Sequence, residues 1–149
     1  MNQTTVLITG ALTGIGRASA FAFAKLGANV VVSGRREEAG AALAAELRSL
    51  GGKAEFVKAD VANEAEVRNL VEKTVSLFGK IDIAVNNAGT EGTLGPITEQ
   101  SADNFHATFS TNVLGTLLSL KHEKNQVVKN WLCNPWRQGA AIYFGPVRD

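Results

Sequence analysis

The chain has 149 residues, of which 45% are hydrophobic and 19% charged, and its formal net charge is +1. This length suits one domain with a buried core, while the near-neutral charge and the lack of an apolar run of roughly 20 residues indicate neither nucleic-acid nor membrane binding. The single cysteine, Cys133, excludes an internal disulfide and a metal site built from several cysteines. Because the first predicted strand leaves no room for a signal peptide, we expect a cytoplasmic protein.

The chain opens with a predicted strand, a glycine-rich turn and a helix. Residues 4–9 form a short apolar run, and the glycine-rich segment from Thr9 to Gly16 follows it directly. The helix after it repeats apolar residues at a helical spacing, namely at Ile15, Ala18, Ala22 and Leu26. Gly27 ends this helix, because glycine is common just past helix C-termini. Residues 29–33 are a continuous apolar strand, of the kind buried on both faces of a parallel sheet.

The same alternation of strands and helices continues to residue 123. A second helix is predicted from about Glu37 to Leu50, and a third strand at residues 54–57. Asn63 is typical of a helix N-cap, and the buried stripe of its helix is Val67, Leu70, Val71, Val75 and Phe78. A fourth strand is predicted at residues 81–85. A long helix then begins near Ser101, with apolar residues every four positions at Phe105, Phe109, Val113 and Leu117.

Repeated strand–helix–strand units with short links predict an α/β fold, a Rossmann-type doubly wound parallel sheet with helices on both faces. Ligands of such sheets lie beyond the carboxyl ends of the strands, where the glycine-rich turn is expected. Glycine lets a pyrophosphate approach where a Cβ atom would collide, and the following helix start offers unpaired N–H groups. The turn therefore predicts a dinucleotide site, with a plain left-handed turn as the alternative.

Four segments in this order resemble motifs of the short-chain dehydrogenase/reductase family, and the resemblance covers residues 1 to about 122. Thr9 to Gly16 is similar to the family's cofactor loop, and Asp60-Val61 to its adenine-contacting pair. The segment Asn86-Asn87-Ala88-Gly89 after the fourth strand is similar to its most characteristic motif, and Asn112 to the asparagine of its catalytic tetrad. The resemblance implies an NAD(P)-dependent oxidoreductase that transfers hydride between a nicotinamide ring and a small-molecule carbonyl or secondary alcohol.

The resemblance also implies which residues form the site. The cofactor-binding residues would be Gly10, Thr13, Gly14, Ile15, Gly16, Asp60, Val61, Asn87, Ala88 and Gly89, and the catalytic one Asn112. Three alternatives stay open. Asp60 could cap a turn, residues 86–89 could form an ordinary turn, and Asn112 could be solvated or bonded locally. His106 and His122 lack a metal-ligand spacing, so no metal site is predicted.

The end of the second strand bears on the choice of cofactor. An acidic residue there would bind the 2′-hydroxyl of NAD, whereas this chain has Ser33-Gly34-Arg35-Arg36. A guanidinium group can hold a 2′-phosphate by paired, charge-assisted hydrogen bonds. Arg35 and Arg36 are therefore predicted to bind the cofactor, and NADP is favoured over NAD. The alternative is that both arginines are simply solvated at a helix start.

The catalytic part of the family pattern is missing. In that family a tyrosine exchanges the proton, a lysine four residues later lowers the pKa of that tyrosine, and a serine after a fifth strand polarises the carbonyl. The only tyrosine here, Tyr143, is followed four residues later by Val147, no lysine follows Lys129, and no serine follows Ser119. We therefore expect Tyr143 to be a packing residue and the chain to be catalytically incomplete.

The composition changes at about residue 124, since both tryptophans, the cysteine and the tyrosine all follow it. Residues 1–123 are predicted to be a dinucleotide-binding half-domain, and residues 124–149 an atypical tail rather than a separate domain. A truncation or a shifted reading frame would produce this pattern. Losing the family's fifth strand would expose an edge and the apolar residues Phe105, Phe109 or Leu117. We expect a homo-oligomer, or a strand supplied by the tail at residues 140–144.

Two other functions are compatible with the sequence. One is a working dehydrogenase with a site rebuilt around Tyr143. The other is a nucleotide-binding or interaction module without chemistry, in which Trp131 and Trp136 would be the anchors of the tail. Turnover with any simple alcohol or ketone would separate the first from the second.

Overall fold

The computed structural model describes residues 3–124, 126 and 141–144. The strands are β1 (Thr5–Thr9), β2 (Asn29–Gly34), β3 (Ala54–Lys58), β4 (Ile83–Asn86) and β5 (Ala141–Phe144). The helices are α1 (Gly14–Lys25), α2 (Glu37–Arg48), α3 (Glu64–Phe78), α4 (Ala102–Phe109) and α5 (Gly115–Glu123). A short 3-10 turn at Ile97–Glu99 precedes α4, and a π-helical turn at Ser110–Leu114 joins α4 to α5.

The five strands form one sheet in the order β3-β2-β1-β4-β5. The first four are parallel, and the chain moves outward from β1 first to one side and then to the other, which confirms the doubly wound α/β prediction. β5 pairs antiparallel with β4, with Ala141 opposite Asn86 and Phe144 opposite Ile83. The tail therefore supplies the strand that covers this edge. Tyr143 lies in β5, opposite Ala84 in the backbone register.

Side chains of successive residues in β1 and β2 pack alternately on the two faces of the sheet. On one face, Val6, Ile8, Val30 and Val32 pack against α1 and α2. On the other, Leu7 and Val31 pack with Leu70 and Val71 of α3. Because both faces are covered, β1 is buried along its whole length. This is why these strands read as unbroken apolar runs instead of alternating ones.

The large apolar residues at the two ends of α1 lie on its exposed side. Ile15 is 68% exposed and Leu26 82% exposed, whereas the buried residues of the helix are Gly16, Ala20 and Ala24. These three small residues let the helix lie close to the sheet, so the larger side chains are left on the outside. The second helix also ends earlier than expected, at Arg48, and leaves Leu50 41% exposed.

The start and the buried stripe of α3 follow the prediction. Asn63 is the N-cap, and its Oδ1 accepts hydrogen bonds from the backbone N–H groups of Ala65 at 3.0 Å and Glu66 at 3.3 Å. Val67, Leu70 and Val71 are buried, and the helix also buries Thr74, a polar residue outside the predicted stripe. The Thr74 hydroxyl donates to the Leu70 carbonyl at 2.8 Å, so its burial leaves no donor unpaired.

The long helix predicted from Ser101 is interrupted by the π-helical turn. Ser101 caps α4, with its Oγ accepting from the backbone N–H of Asn104 at 3.1 Å. The apolar stripe of this region, which we define as Phe105, Phe109, Val113 and Leu117, is 52%, 48%, 55% and 60% exposed. The helices in the described ranges are too short or too polar to span a lipid bilayer.

Candidate functional site

A groove of about 700 Å³ lies at the carboxyl ends of β1, β2, β3 and β4. All but one of the predicted cofactor-binding residues line it: Gly10, Thr13, Gly14, Ile15, Arg35, Arg36, Asp60, Val61, Asn87, Ala88 and Gly89. The exception, Gly16, packs beneath the turn. The structure thus brings together residues that follow four strand ends, as expected where the order of a doubly wound sheet reverses.

The glycine-rich turn packs directly on the loop after β4. Gly10 has a φ of +62°, and a Cβ atom there would lie 2.6 Å from the Cα of Ala88. A Cβ atom on Gly16 would lie 2.5 Å from Nδ2 of Asn87 and 2.5 Å from the Gly10 carbonyl oxygen. Both contacts leave no room for a side chain. The turn therefore needs glycine at these two positions for its own packing as well as for ligand access.

The start of α1 faces the groove with free backbone donors. Its N-cap, Thr13, has extended backbone and makes no side-chain capping hydrogen bond, and the first turn contains no acidic residue. Gly14 and Ile15 are exposed and line the groove. Unpaired N–H groups and the positive end of the helix dipole favour an anion at this place. The geometry suits a phosphate or pyrophosphate group.

Two arginines and an aspartate lie at the β2 and β3 end of the groove. Nη1 of Arg35 is 4.0 Å from Oδ2 of Asp60, and both side chains are more than a third exposed. Oδ1 of Asp60 accepts from the backbone N–H of Ala62 at 3.0 Å, so Asp60 does cap a turn and still has an oxygen facing Arg35. Arg36 forms no ion pair within the described part of the chain, and its guanidinium group is exposed.

Asn87 and Thr9 connect the loop after β4 to the glycine-rich turn. The backbone N–H groups of Asn87 and Ala88 donate to Oγ1 of Thr9 at 3.2 and 3.3 Å. In return, Nδ2 of Asn87 donates to the carbonyl oxygens of Thr9 at 3.3 Å and Gly10 at 3.0 Å. The residues at 86–89 therefore form more than an ordinary turn, because their bonds reach almost 80 residues along the chain.

Asn112 lies in the π-helical turn and does not line the groove. Its Nδ2 donates to the Thr90 carbonyl at 2.8 Å, and its Oδ1 accepts from the Thr90 N–H at 2.8 Å. Thr90 follows Gly89 and does line the groove. The contact spans 22 residues, so Asn112 is not bonded only within its own helix.

Several groove residues were not predicted: Leu12, Gly34, Ala59, Thr90, Glu91, Ala107 and Thr111. Thr90 and Glu91 follow the Asn87–Gly89 segment directly, and Ala107 and Thr111 are four residues apart on one helical face, so adjacency and spacing were available signals. No tyrosine, lysine or serine is among the described residues that line the groove. Its titratable side chains are those of Arg35, Arg36, Asp60 and Glu91.

Neither histidine belongs to a cluster of metal ligands within residues 3–124, 126 and 141–144. The described part of the chain holds no group of three or more histidine, cysteine, aspartate or glutamate residues that could bind a metal ion. His122 instead contacts Glu64 of α3, with 3.1 Å between Nε2 and Oε1, and Lys121 donates to the same oxygen at 2.7 Å. The Lys121 hydrogen bond, followed by that of His122, holds the pKa of Glu64 below its usual value of 4.5.

The sequence model of the short chain dehydrogenase family matches residues 4–130. The chain belongs to this family. It is 40% identical over 122 residues to a 3beta-hydroxysteroid dehydrogenase of Mediterraneibacter gnavus, a match that covers 82% of this chain and 44% of the relative.

Two solved structures are similar in fold to most of this chain. A 3-ketoacyl-ACP reductase from Sinorhizobium meliloti 1021 has a TM-score of 0.79 at 38% identity, over 82% of this chain and 48% of that one. A short-chain dehydrogenase/reductase from Burkholderia phymatum, solved in complex with NAD, has a TM-score of 0.80 at 34% identity, over 84% and 44%. The chain spans about half the length of the relatives it matches.

Proposed function

We propose that this short-chain dehydrogenase chain is a dinucleotide-binding unit that binds NADP(H) in preference to NAD(H) and is catalytically incomplete by itself. The observation that carries the proposal is the continuous groove. It runs from Arg35 and Arg36, past the uncapped start of α1, to Asn87–Gly89. A family relative solved with NAD supports a nicotinamide dinucleotide as the ligand class.

The residues present fit such a cofactor at three points. The N-terminus of α1 would receive the pyrophosphate, because its N–H groups lack a side-chain cap. Asp60 and Val61 would lie along the adenine, and Asn87, Ala88 and Gly89 along the nicotinamide ribose. When bound, the cofactor supplies hydride transfer to or from a carbonyl or secondary alcohol. The chain's own residues would bind and orient it, and Asn112 would hold Thr90 at the edge of the site.

The preference for NADP rests on Arg35 and Arg36. Both guanidinium groups lie at the groove's β2 end, and no acidic residue occupies the last position of β2. Arg35 faces Asp60 only at 4.0 Å and with most of its side chain exposed, so that contact leaves donors for a phosphate. Glu37 and Glu38 in the first turn of α2 already offset the helix dipole there.

The catalytic part of the proposal rests on what lines the groove. In this family a tyrosine exchanges the proton that accompanies hydride transfer. Its phenol has a pKa near 10 and is a poor base at neutral pH unless a positive side chain such as a lysine lies beside it. Within the described residues, the groove offers neither a tyrosine nor a lysine for that role. We propose that residues 1–123 are a dinucleotide-binding half-domain. Residues 124–149 would then be an atypical tail and not a separate domain. A non-catalytic nucleotide-binding module is the alternative function.

The test is direct titration of NADPH and NADH, followed by the rise in nicotinamide fluorescence. We expect tighter binding of NADPH than of NADH, and the difference should disappear in Arg35→Ala combined with Arg36→Ala. Arg68→Ala is the matched control, since Arg68 is exposed on α3 outside the groove. Each lost charge-assisted hydrogen bond should cost about 1.5–3 kcal/mol, at least a tenfold loss of affinity.

Turnover assays separate the two catalytic alternatives. Binding without oxidation of NADPH by simple ketones would support an incomplete site. Cofactor-dependent turnover that is abolished in Tyr143→Phe would instead establish a rebuilt active site. Equal affinity for both cofactors in the native chain would contradict the NADP assignment. Absence of binding to either one would contradict the dinucleotide function as a whole.

We also propose that the chain forms a homo-oligomer through the apolar stripe. Phe105 and Phe109 stack on each other with ring centroids 4.1 Å apart, and all four stripe residues remain about half exposed. Contiguous exposed aromatic and aliphatic side chains are typical of protein interfaces. A second copy would bury the stripe against itself in a two-fold arrangement.

A further inference from the structure

Glu123 is a buried carboxyl group to which the proposed function gives no role. It is the last residue of α5 and only 2% exposed. Its Oε2 accepts a hydrogen bond from Nδ2 of Asn86 at 2.8 Å, and Asn86 is itself only 2% exposed. Within the described residues, this is the one side-chain hydrogen bond that joins α5 to the sheet.

The pair leaves two buried acceptors without a donor. Oε1 of Glu123 and Oδ1 of Asn86 have no hydrogen-bond partner among the described residues. Burying an ionised carboxylate with one oxygen unpaired is costly, and so is burying an amide oxygen without a donor. A proton on Oε1 of Glu123 would turn that atom into a donor, which could bond to Oδ1 of Asn86 and so leave neither atom unpaired. The acid and the amide could then pair at two points, each group giving one hydrogen and accepting one.

The position of Asn86 links this pair to the groove. Asn86 ends β4 and is in register with Thr9 of β1, and the next residue is Asn87. Thr9 in turn receives the N–H groups of Asn87 and Ala88 on its Oγ1. Movement of Asn86 would therefore move the two amides that line the groove beside the glycine-rich turn.

We propose that Glu123 is a positioning residue, which in its protonated form clamps Asn86 to α5 and so holds the loop Asn87–Gly89 in place along the groove. This deepens the proposed function, since the loop is where the nicotinamide ribose would lie. Burial raises the pKa of Glu123 to about 7, with the Asn86 hydrogen bond acting in the opposite direction. The clamp would therefore release as pH rises through neutrality.

Among the described residues, few other titratable groups belong to the elements that pack against Glu123. On α5 itself, the side chains of Lys121 and His122 contact the carboxylate of Glu64. Glu64 is the titratable residue of α3 that contacts this helix. β4 and the π-helical turn contain no titratable residue, and Lys124 follows α5 directly. In β5 the titratable residue is Tyr143, whose backbone pairs with Ala84 and not with Asn86.

The deciding variant is Glu123→Gln. A glutamine keeps the shape of the neutral acid and can donate to Oδ1 of Asn86 while accepting from its Nδ2, but it does not titrate. Glu72→Gln is the control, because it removes the same charge from an exposed site on α3. The readouts are the carboxyl carbon shift of Glu123 by NMR and hydrogen exchange at the Asn87 and Ala88 amides, both in the protein without cofactor.

We expect Glu123 to titrate near pH 7. At about pH 6 the native chain and Glu123→Gln should exchange these amides at equal rates. At about pH 8, where the ionised form exceeds the neutral one roughly tenfold, the native chain should exchange them up to tenfold faster than Glu123→Gln. Glu72→Gln should follow the native chain at both values.

Two results would overturn the inference. The first is a Glu123 carboxyl that stays ionised throughout, for instance with a buried water bridging the two acceptors. The second is a Glu123 that titrates near neutrality without any response at Asn87 and Ala88. The cofactor is tested separately at about pH 6. If no NADPH binds there while the amides still respond to Glu123, the proposed function fails and the clamp stands.

Discussion

Asn112 holds both backbone groups of Thr90, with 2.8 Å from its Nδ2 to the Thr90 carbonyl oxygen and 2.8 Å from the Thr90 nitrogen to its Oδ1. The π-helical turn that carries Asn112 is thereby tied to the loop after β4. Thr116 adds a bond from its hydroxyl to the Asn112 carbonyl at 2.9 Å. Asn112 is predicted to be catalytic. The contact that the structure shows for its side chain is with Thr90, which it orients at the edge of the groove.

Replacing Asn112 with alanine should loosen this edge. Two hydrogen bonds would be lost, and at a net value of about 0.5–1.5 kcal/mol each the free energy of unfolding should fall by roughly 1–3 kcal/mol. Urea denaturation measures this loss. Asn112→Asp keeps the acceptor for the Thr90 N–H but sets a carboxylate oxygen against the Thr90 carbonyl oxygen, so it should not restore the native stability. Equal stability of Asn112→Ala and the native chain would show that the contact contributes nothing.

Gly10 and Gly14 should respond differently to alanine, although both have positive φ angles of +62° and +53°. A Cβ atom on Gly14 meets nothing within 4 Å, so Gly14→Ala bears only the conformational strain of about 1–2 kcal/mol. A Cβ atom on Gly10 would lie 2.6 Å from the Ala88 backbone, so Gly10→Ala should cost clearly more. Thermal melting of both variants compares them, and a smaller loss for Gly10→Ala would contradict the packing argument.

Glu64 should stabilise the fold in a pH-dependent way. Its pKa in the folded chain is lowered from 4.5, chiefly by the Lys121 hydrogen bond, so its contribution is present above pH 4.5 and is lost as the pH falls through the folded value. The stability difference between the native chain and Glu64→Gln should thus be complete just above pH 4.5 and shrink as the pH falls from 4.5 through the folded value. Urea titrations of both chains across acidic pH measure this, and added salt should reduce the difference.

Glu123 cancels out of that comparison, because it is present in both chains. Its own contribution has the opposite sign. A raised pKa gives stability that is present below pH 4.5 and is lost as the pH rises toward about 7. If the free energy of unfolding of the native chain minus that of Glu64→Gln grew as the pH fell, this would contradict the lowered pKa of Glu64.

Leu117→Glu should weaken self-association through the apolar stripe. Leu117 is 60% exposed and follows Val113 by four residues, so a charge there would be buried if two copies paired through this face. Light scattering across a concentration series should show the native chain as an oligomer and Leu117→Glu as a monomer. Leu77→Glu is the control, since Leu77 is 51% exposed on α3 outside the stripe. A native chain that stays monomeric at high concentration would rule out this interface.

The outline of the fold was predictable because its signals are local. The apolar runs of β1 and β2, the Asn63 cap and Gly27 act through nearby residues, and the elements from β1 to β4 formed close to their expected bounds. The groove was predictable for the same reason. Its glycine-rich turn and the Asn87–Gly89 segment directly follow strands whose carboxyl ends meet at one edge of the sheet.

The buried face of α1 could not be predicted from its sequence. The helical period of α1 fits two opposite faces, and only contact with the sheet selects Gly16, Ala20 and Ala24 over Ile15 and Leu26. The cofactor-binding role of the groove residues stays a prediction, as does the preference for NADP. Trp131, Trp136 and Cys133 lie outside the described residues, so the predictions about them stay open too.

The sequence by itself determined the element order, the doubly wound class and the residues at the strand ends, because these depend on spacing along the chain. Tertiary structure alone decided which face of α1 is buried, that β5 runs antiparallel beside β4, and that Asn112 binds Thr90. It also brought Glu123 onto Asn86 across 37 residues. Contacts of this kind arise between elements that pack only after folding, and no local pattern encodes which side chains will meet.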